Sequence, residues 1–133
     1  MLERRIEIRW RDMDAYGHVN NAVYLNYLEE ARDAWVEATL GAVADTWDLV
    51  LARVAIDFKQ ELTQADRAVV VRCELASVGR SSVRTREEVL MLDGTVSAVS
   101  ESVLVARDRR TGRSRPLTEA ERAALEAELA RSG

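Results

Sequence analysis

A single long stretch of helical period, residues 22–38, sits in a chain whose other apolar residues mostly alternate. That imbalance limits the folds open to it. Tyr24, Tyr27, Leu28, Ala31, Trp35 and Ala38 fall at i, i+3, i+4, i+7, i+11 and i+14, which places them on one helix face. Asn20 or Asn21 supplies an N-cap, and Gly41 lies just past the end. Strand-like segments are read at 5–10, 49–61, 67–78, 82–92 and 95–107. Residues 11–19 between the first strand and the helix form a loop. "LTQAD", "VGRS" and "LDGT" turn the later strands, and Asp93-Gly94 is the strongest hairpin signal among them. Thr118 and Glu121 form a capping box for a short helix over 119–130. Its thin stripe of Leu117, Leu125 and Leu129 predicts a place on the surface or against a partner. The order is strand, long helix, four antiparallel strands, short helix: an α+β fold in one domain, 1–133. One helix covers one face of one sheet, and long strands leave an edge to be paired, so self-association is expected.

Composition narrows the function classes. The net charge of −4 argues against nucleic acid as a partner. No apolar run is long enough to span a bilayer, and the N-terminus lacks a signal-peptide core, so a cytoplasmic protein is expected. Cys73 is the only cysteine and His18 the only histidine, which leaves no disulfide and no usable zinc set. In "VVVRCEL" the thiol reads as a small buried hydrophobe.

The chemistry concentrates in "DMDAYGHVNNAVYLNY", residues 12–27. The first amides of the following helix lack intrahelical partners and carry the positive end of the helix dipole. They suit a polarised carbonyl oxygen or an oxyanion. Asp12, Asp14 and His18 lie just ahead of them, and Gly17 lets the backbone come close or adopt positive φ. A carboxylate beside such a helix start is the minimum equipment for hydrolysing an activated acyl group. Spacing alone does not separate this from two turn-capping acids, a helix cap and a hydrogen-bonded histidine.

"RDMDAYGHVNNAVYLNYLEEAR" resembles the N-terminal signature of the hotdog-fold acyl-CoA thioesterases, the 4-hydroxybenzoyl-CoA thioesterase-like family. The resemblance continues through "SVGRSSV" and the strand order and leaves out only the last helix. It implies a five-stranded antiparallel sheet wrapped around one long helix. It implies a homodimer with sites at the interface, paired again into a homotetramer. Asp14 matches the family's catalytic carboxylate. Gly17, His18 and Val19 match the segment running into the helix start, where a backbone N–H polarises the thioester. Arg80, Ser81 and Ser82 match a region near the coenzyme A nucleotide. Asn20 and Asn21, read as caps, and Tyr24, read as pocket wall or core, complete the expected substrate-binding set. The substrate is acyl-CoA, with no separate cofactor.

Other acids compete with Asp14. Asp12 projects to the same side of an extended loop and is read as orienting it through backbone amides. Glu30 lies about 14 Å from the helix cap, too far to act at that end. Glu29 and Glu30 are read as surface ion-pair partners, and His18 as a positioning group. Two further functions fit the loop. An acyl-carrier-protein thioesterase would use the basic run Arg107–Arg115 for its acidic carrier. A non-catalytic module would bind acyl-CoA without turnover.

Overall fold

The structure, a computed structural model, describes residues 1–45 and 48–132. β1 (Leu2–Glu7) leads through a 3-10 turn at Trp10–Asp12 into α1 (Asn21–Leu40). β2 (Leu49–Phe58), β3 (Ala68–Val78), β4 (Ser82–Met91), β5 (Val96–Ala106) and α2 (Glu119–Ser132) follow. The strands form one sheet in the order β1-β3-β4-β5-β2, every neighbouring pair antiparallel. The sheet curls around α1, which is the hotdog arrangement.

The expected helix forms because its cap and its apolar face agree. The Asn20 side chain accepts from the Ala22 amide, and Tyr24, Tyr27, Leu28, Ala31 and Trp35 are all buried. The helical half nearer its N-terminus packs on Ile6, Ile8, Leu62, Val69, Val71 and Val89. The other half packs on Cys73, Leu75, Val83, Leu104 and Ala106. Cys73 is the buried hydrophobe expected of it, and burial pushes its thiol pKa up. Inside this core Arg32 of α1 donates to Glu87 of β4 at 3.3 Å and to Ser102 of β5 at 3.2 Å. Ser102 and Thr85 donate to the same Glu87 oxygen.

Three expectations need correction. The first strand is Leu2–Glu7, not 5–10; Ile6 and Ile8 turn inward, but the 3-10 turn throws Trp10 out to 78% exposure. The second strand ends at Phe58, because Lys59 and Gln60 both give their amides to the Ser97 carbonyl and the chain bends away. α2 is not merely a surface helix. Its capping box forms as expected, Thr118 and Glu121 exchanging both bonds. Its thin stripe suffices because Leu117 and Leu125 enter the core. Met1 to Glu128, Arg115 to Glu121 and Arg122 to the Gly79 carbonyl add polar ties. Leu125→Ala is accordingly expected to cost about 2–5 kcal/mol of stability, read as a lowered denaturation midpoint at matched protein concentration.

α1 lies chiefly over β1, β3 and β4. β2 is the far edge of the sheet, and its core-side residues Val54, Ile56 and Phe58 are only half-buried or exposed. Among the described residues no helix is long and apolar enough to cross a membrane.

Candidate functional site

The loop between β1 and α1 is closed on itself. The Asp14 amide donates to the His18 carbonyl at 2.8 Å, and the Asn20 amide donates to that of Asp12 at 2.9 Å. Gly17 closes the turn with its amide on the Asp14 carbonyl and a φ of 82°, a conformation that glycine alone adopts at little cost. The Asp14 Oδ1 accepts from the Tyr16 amide at 2.9 Å and more loosely from the His18 amide at 3.4 Å. This Asx-type turn fixes the carboxylate plane. Oδ2 has no partner among the described residues.

The two acids of D-x-D thus have separate tasks. Asp12 is buried and takes three donors: the Arg9 amide at 2.9 Å, the Tyr27 hydroxyl at 2.7 Å and the Arg9 guanidinium at 3.5 Å. It orients the loop, as expected from its position. Burial and the bond to Asp12 hold the Tyr27 phenol well above its ordinary pKa. Asp14 instead lines a cavity of about 280 Å³.

One wall of that cavity comes from Asp14, His18, Val19, Asn21 and Tyr24, the other from residues 58–62. His18 Nε2 stands 3.0 Å from Glu61 across the gap. The Val19 amide is already given to the Leu62 carbonyl at 2.7 Å, so it is not free to polarise a ligand. The Ala22 and Val23 amides bond the side chain and carbonyl of Asn20. The Asn21 amide, first in the helix, has no partner among the described residues, and Asn21 lines the cavity. The amides of Gly17, His18 and Val19 are thus all engaged, and that of Asn21 is left open among the described residues. Asn20 acts as a cap.

Tyr24 is both core and wall. It is buried, its ring meets Phe58 edge-on at 5.0 Å, and its hydroxyl lies 2.9 Å from Ser97 Oγ. Burial raises its phenol pKa. Ser97 passes the chain on to the Gln60 carbonyl at 2.7 Å, tying helix, sheet and the 58–62 segment together. Residues 59–62 were not expected at the site. Lys59, the only lysine of the chain, was their one visible mark.

Arg80, Ser81 and Ser82 lie elsewhere. They form the β3–β4 hairpin, closed by the Gly79 amide on the Ser82 carbonyl and tied to α2 through Leu117 and Arg122. This is the α2 end of the sheet, beside the C-terminal half of α1, whereas Asp14 stands at the helix start. The two thus lie toward opposite ends of α1, a helix about 30 Å long. Glu30 pairs with Arg4 of β1 at 3.9 Å, the surface role expected of it. The described residues hold no group of three or more His, Cys, Asp and Glu side chains placed to bind a metal ion.

The profile of the Thioesterase-like superfamily matches residues 8–128. A thioesterase from Thermus thermophilus, solved in complex with coenzyme A and zinc, is 33% identical with a TM-score of 0.85. The match covers 97% of this chain and 94% of that one. The long-chain acyl-CoA thioesterase FadM of Escherichia coli (strain K12) is 26% identical over 117 residues, 83% of this chain and 86% of FadM. A thioesterase-superfamily protein from Jannaschia sp. CCS1 is 19% identical with a TM-score of 0.84, covering 96% of this chain and 92% of its own, and speaks to the fold alone.

Proposed function

Because this chain belongs to the Thioesterase-like superfamily, we propose that it hydrolyses acyl-CoA to the free acid and coenzyme A, with Asp14 as the reacting carboxylate. The observation that carries this is the free Asp14 Oδ2 in the same cavity as the unpartnered Asn21 amide. The thioester carbonyl sits at the helix start, its oxygen on the Asn21 N–H and the positive end of the dipole. The carboxylate either attacks the carbonyl carbon or removes a proton from a water that does. Both routes move negative charge onto the oxygen that Asn21 holds. Collapse of the tetrahedral species breaks the C–S bond. The leaving thiolate is stable without protonation, so His18, engaged by Glu61, positions rather than donates. The reaction calls for no resident cofactor.

Coenzyme A fits better than a carrier protein. Arg109 is tied to Asp45 and Asp48, and Arg115 to Glu121, so two of the five arginines of the basic run 107–115 are neutralised within the chain. The uncovered face and free edge of β2 support a homodimer joined through that strand, with a pair of such dimers as the full assembly. In an antiparallel β2–β2 pairing the partner's hairpin at 79–82 approaches the Asp14 loop from the other chain.

The test is thiol release from a panel of short, long and aromatic acyl-CoAs, with the same acyl groups on carrier protein alongside. Release from acyl-CoA in excess of the carrier-bound form is expected. Tight acyl-CoA binding in calorimetry without any thiol release would instead identify a binding module.

A further inference from the structure

A His–Glu pair crosses the cavity that holds Asp14. His18 Nε2, on the Asp14 turn, stands 3.0 Å from Glu61 Oε2, and both residues line the cavity. The two sides of this bridge are held very differently.

The turn is held mostly by itself. Among the described residues, the backbone of 14–18 bonds only within the turn. The Asp14 amide goes to the His18 carbonyl and the Gly17 amide to the Asp14 carbonyl, while the Tyr16 and His18 amides go to Asp14 Oδ1. Tyr16 is exposed, and a Cβ at Gly17 would meet nothing within 4 Å, so the turn stands clear of the sheet. The wall opposite is anchored. The Lys59 and Gln60 amides share the Ser97 carbonyl, the Gln60 carbonyl accepts from Ser97 Oγ, and Leu62 is fully buried. Glu61 sits between those fixed neighbours and reaches across to the ring of His18.

His18 and Asp14 are coupled, because the His18 carbonyl and amide both bond Asp14. Where the imidazole is held therefore decides where Asp14 Oδ2 points relative to the Asn21 amide. The Glu61 side chain is 70% exposed, so its pairing adds little to stability. Catalytic aim is far more sensitive: a misplacement of about 1 Å can cost ~10²-fold in rate.

We propose that Glu61 is a positioning residue of the hydrolysis. It props the His18 ring against the 59–62 wall and so aims Asp14 at a thioester held by the Asn21 amide. This rests on the hydrolase reading above.

The test is steady-state hydrolysis of one acyl-CoA by wild type and a short variant series. Glu61→Ala is expected to lower kcat by roughly three- to tenfold and to leave KM within about twofold. Glu61→Gln keeps an acceptor oxygen and is expected to lose less. His18→Gln keeps an amide nitrogen near the place of Nε2 and is expected to retain more activity than His18→Ala. In the Glu61→Ala background those two His18 variants are expected to be equal, because the group they contact is gone. An unchanged kcat in Glu61→Ala overturns the proposal. So does a rise in KM alone, which would make Glu61 a substrate contact, or a gain in kcat/KM, which would make the pair a barrier to entry. Losses that simply add in the double variants overturn it as well. Amide hydrogen exchange supplies a readout that needs no turnover. The Tyr16 and His18 amides are expected to exchange several-fold faster in Glu61→Ala than in wild type. If wild type hydrolyses no acyl-CoA, the hydrolase reading falls, and with it the catalytic role of Glu61. Equal exchange in the two proteins would show instead that Glu61 does not hold the turn, whatever the turnover.

Discussion

Asp14→Asn is expected to cut kcat/KM for acyl-CoA hydrolysis by ~10²–10⁴-fold, with little change in stability. The asparagine keeps an oxygen where Oδ1 accepts the Tyr16 and His18 amides, so the turn at Asp14–Gly17 remains closed. What disappears is the charge on the atom facing the cavity. Asn can neither attack a thioester at a useful rate nor take a proton from water. Asp14→Ala removes the turn bonds as well, so its loss would mix chemistry with loop disorder. The asparagine variant is the cleaner measurement. Thiol release by Asp14→Asn at the wild-type rate, in a protein of unchanged circular dichroism, would remove Asp14 from the mechanism. Asp12→Asn provides the contrast. Asp12 does not line the cavity but holds Tyr27 and Arg9, so its replacement acts through loop geometry.

Arg32→Ala is expected to lower stability by about 3–5 kcal/mol, because it strands a carboxylate in the core. Glu87 is 1% exposed, and its Oε2 has no partner among the described residues. Its other oxygen depends on Arg32, Ser102 and Thr85. In a chain of this length such a loss lowers Tm by roughly 10 °C or more. Burial raises the Glu87 pKa, while the bonds from Ser102 and Arg32 oppose that rise. A carboxyl whose folded pKa is raised contributes stability that is complete below its unfolded pKa. That contribution is lost as pH rises through the folded value. Removing Arg32 takes away an opposing influence and pushes the folded value higher. The deficit of Arg32→Ala should therefore be smallest in acid, where Glu87 is protonated, and widen toward neutral pH. Arg32→Met combined with Glu87→Leu should recover most of it, since two matched apolar groups replace the pair. Thermal melts at fixed protein concentration decide the matter, concentration being held because assembly contributes to Tm. Equal melting of Arg32→Ala and wild type at neutral pH would show that the pair contributes nothing.

Local order was largely written in the residues. α1 follows from its 3.6-residue period and the Asn20 cap, and the start of α2 from the Thr118–Glu121 box. The turn at Asp93-Gly94 and the positive φ of Gly17 lie where their residue types predicted. The acid loop before α1 was legible as a site, and D-x-D marked both acids. Spacing did not say which would face the cavity. That came from the Tyr27 hydroxyl, 15 positions away, which claims Asp12 and leaves Asp14 with a free oxygen.

The same distinction runs through the rest of the molecule. Caps, turns and periods depend on bonds between residues at most a few positions apart, so the order of residue types determines them. The exposure of Trp10, the second cavity wall at 58–62 and the Arg32–Glu87 pair, 55 positions apart, depend on sheet register and on which strand α1 covers. Only the packed chain decided those. Burial and ion pairing between distant segments are properties of where the backbone brings two side chains, and no local pattern carries that information.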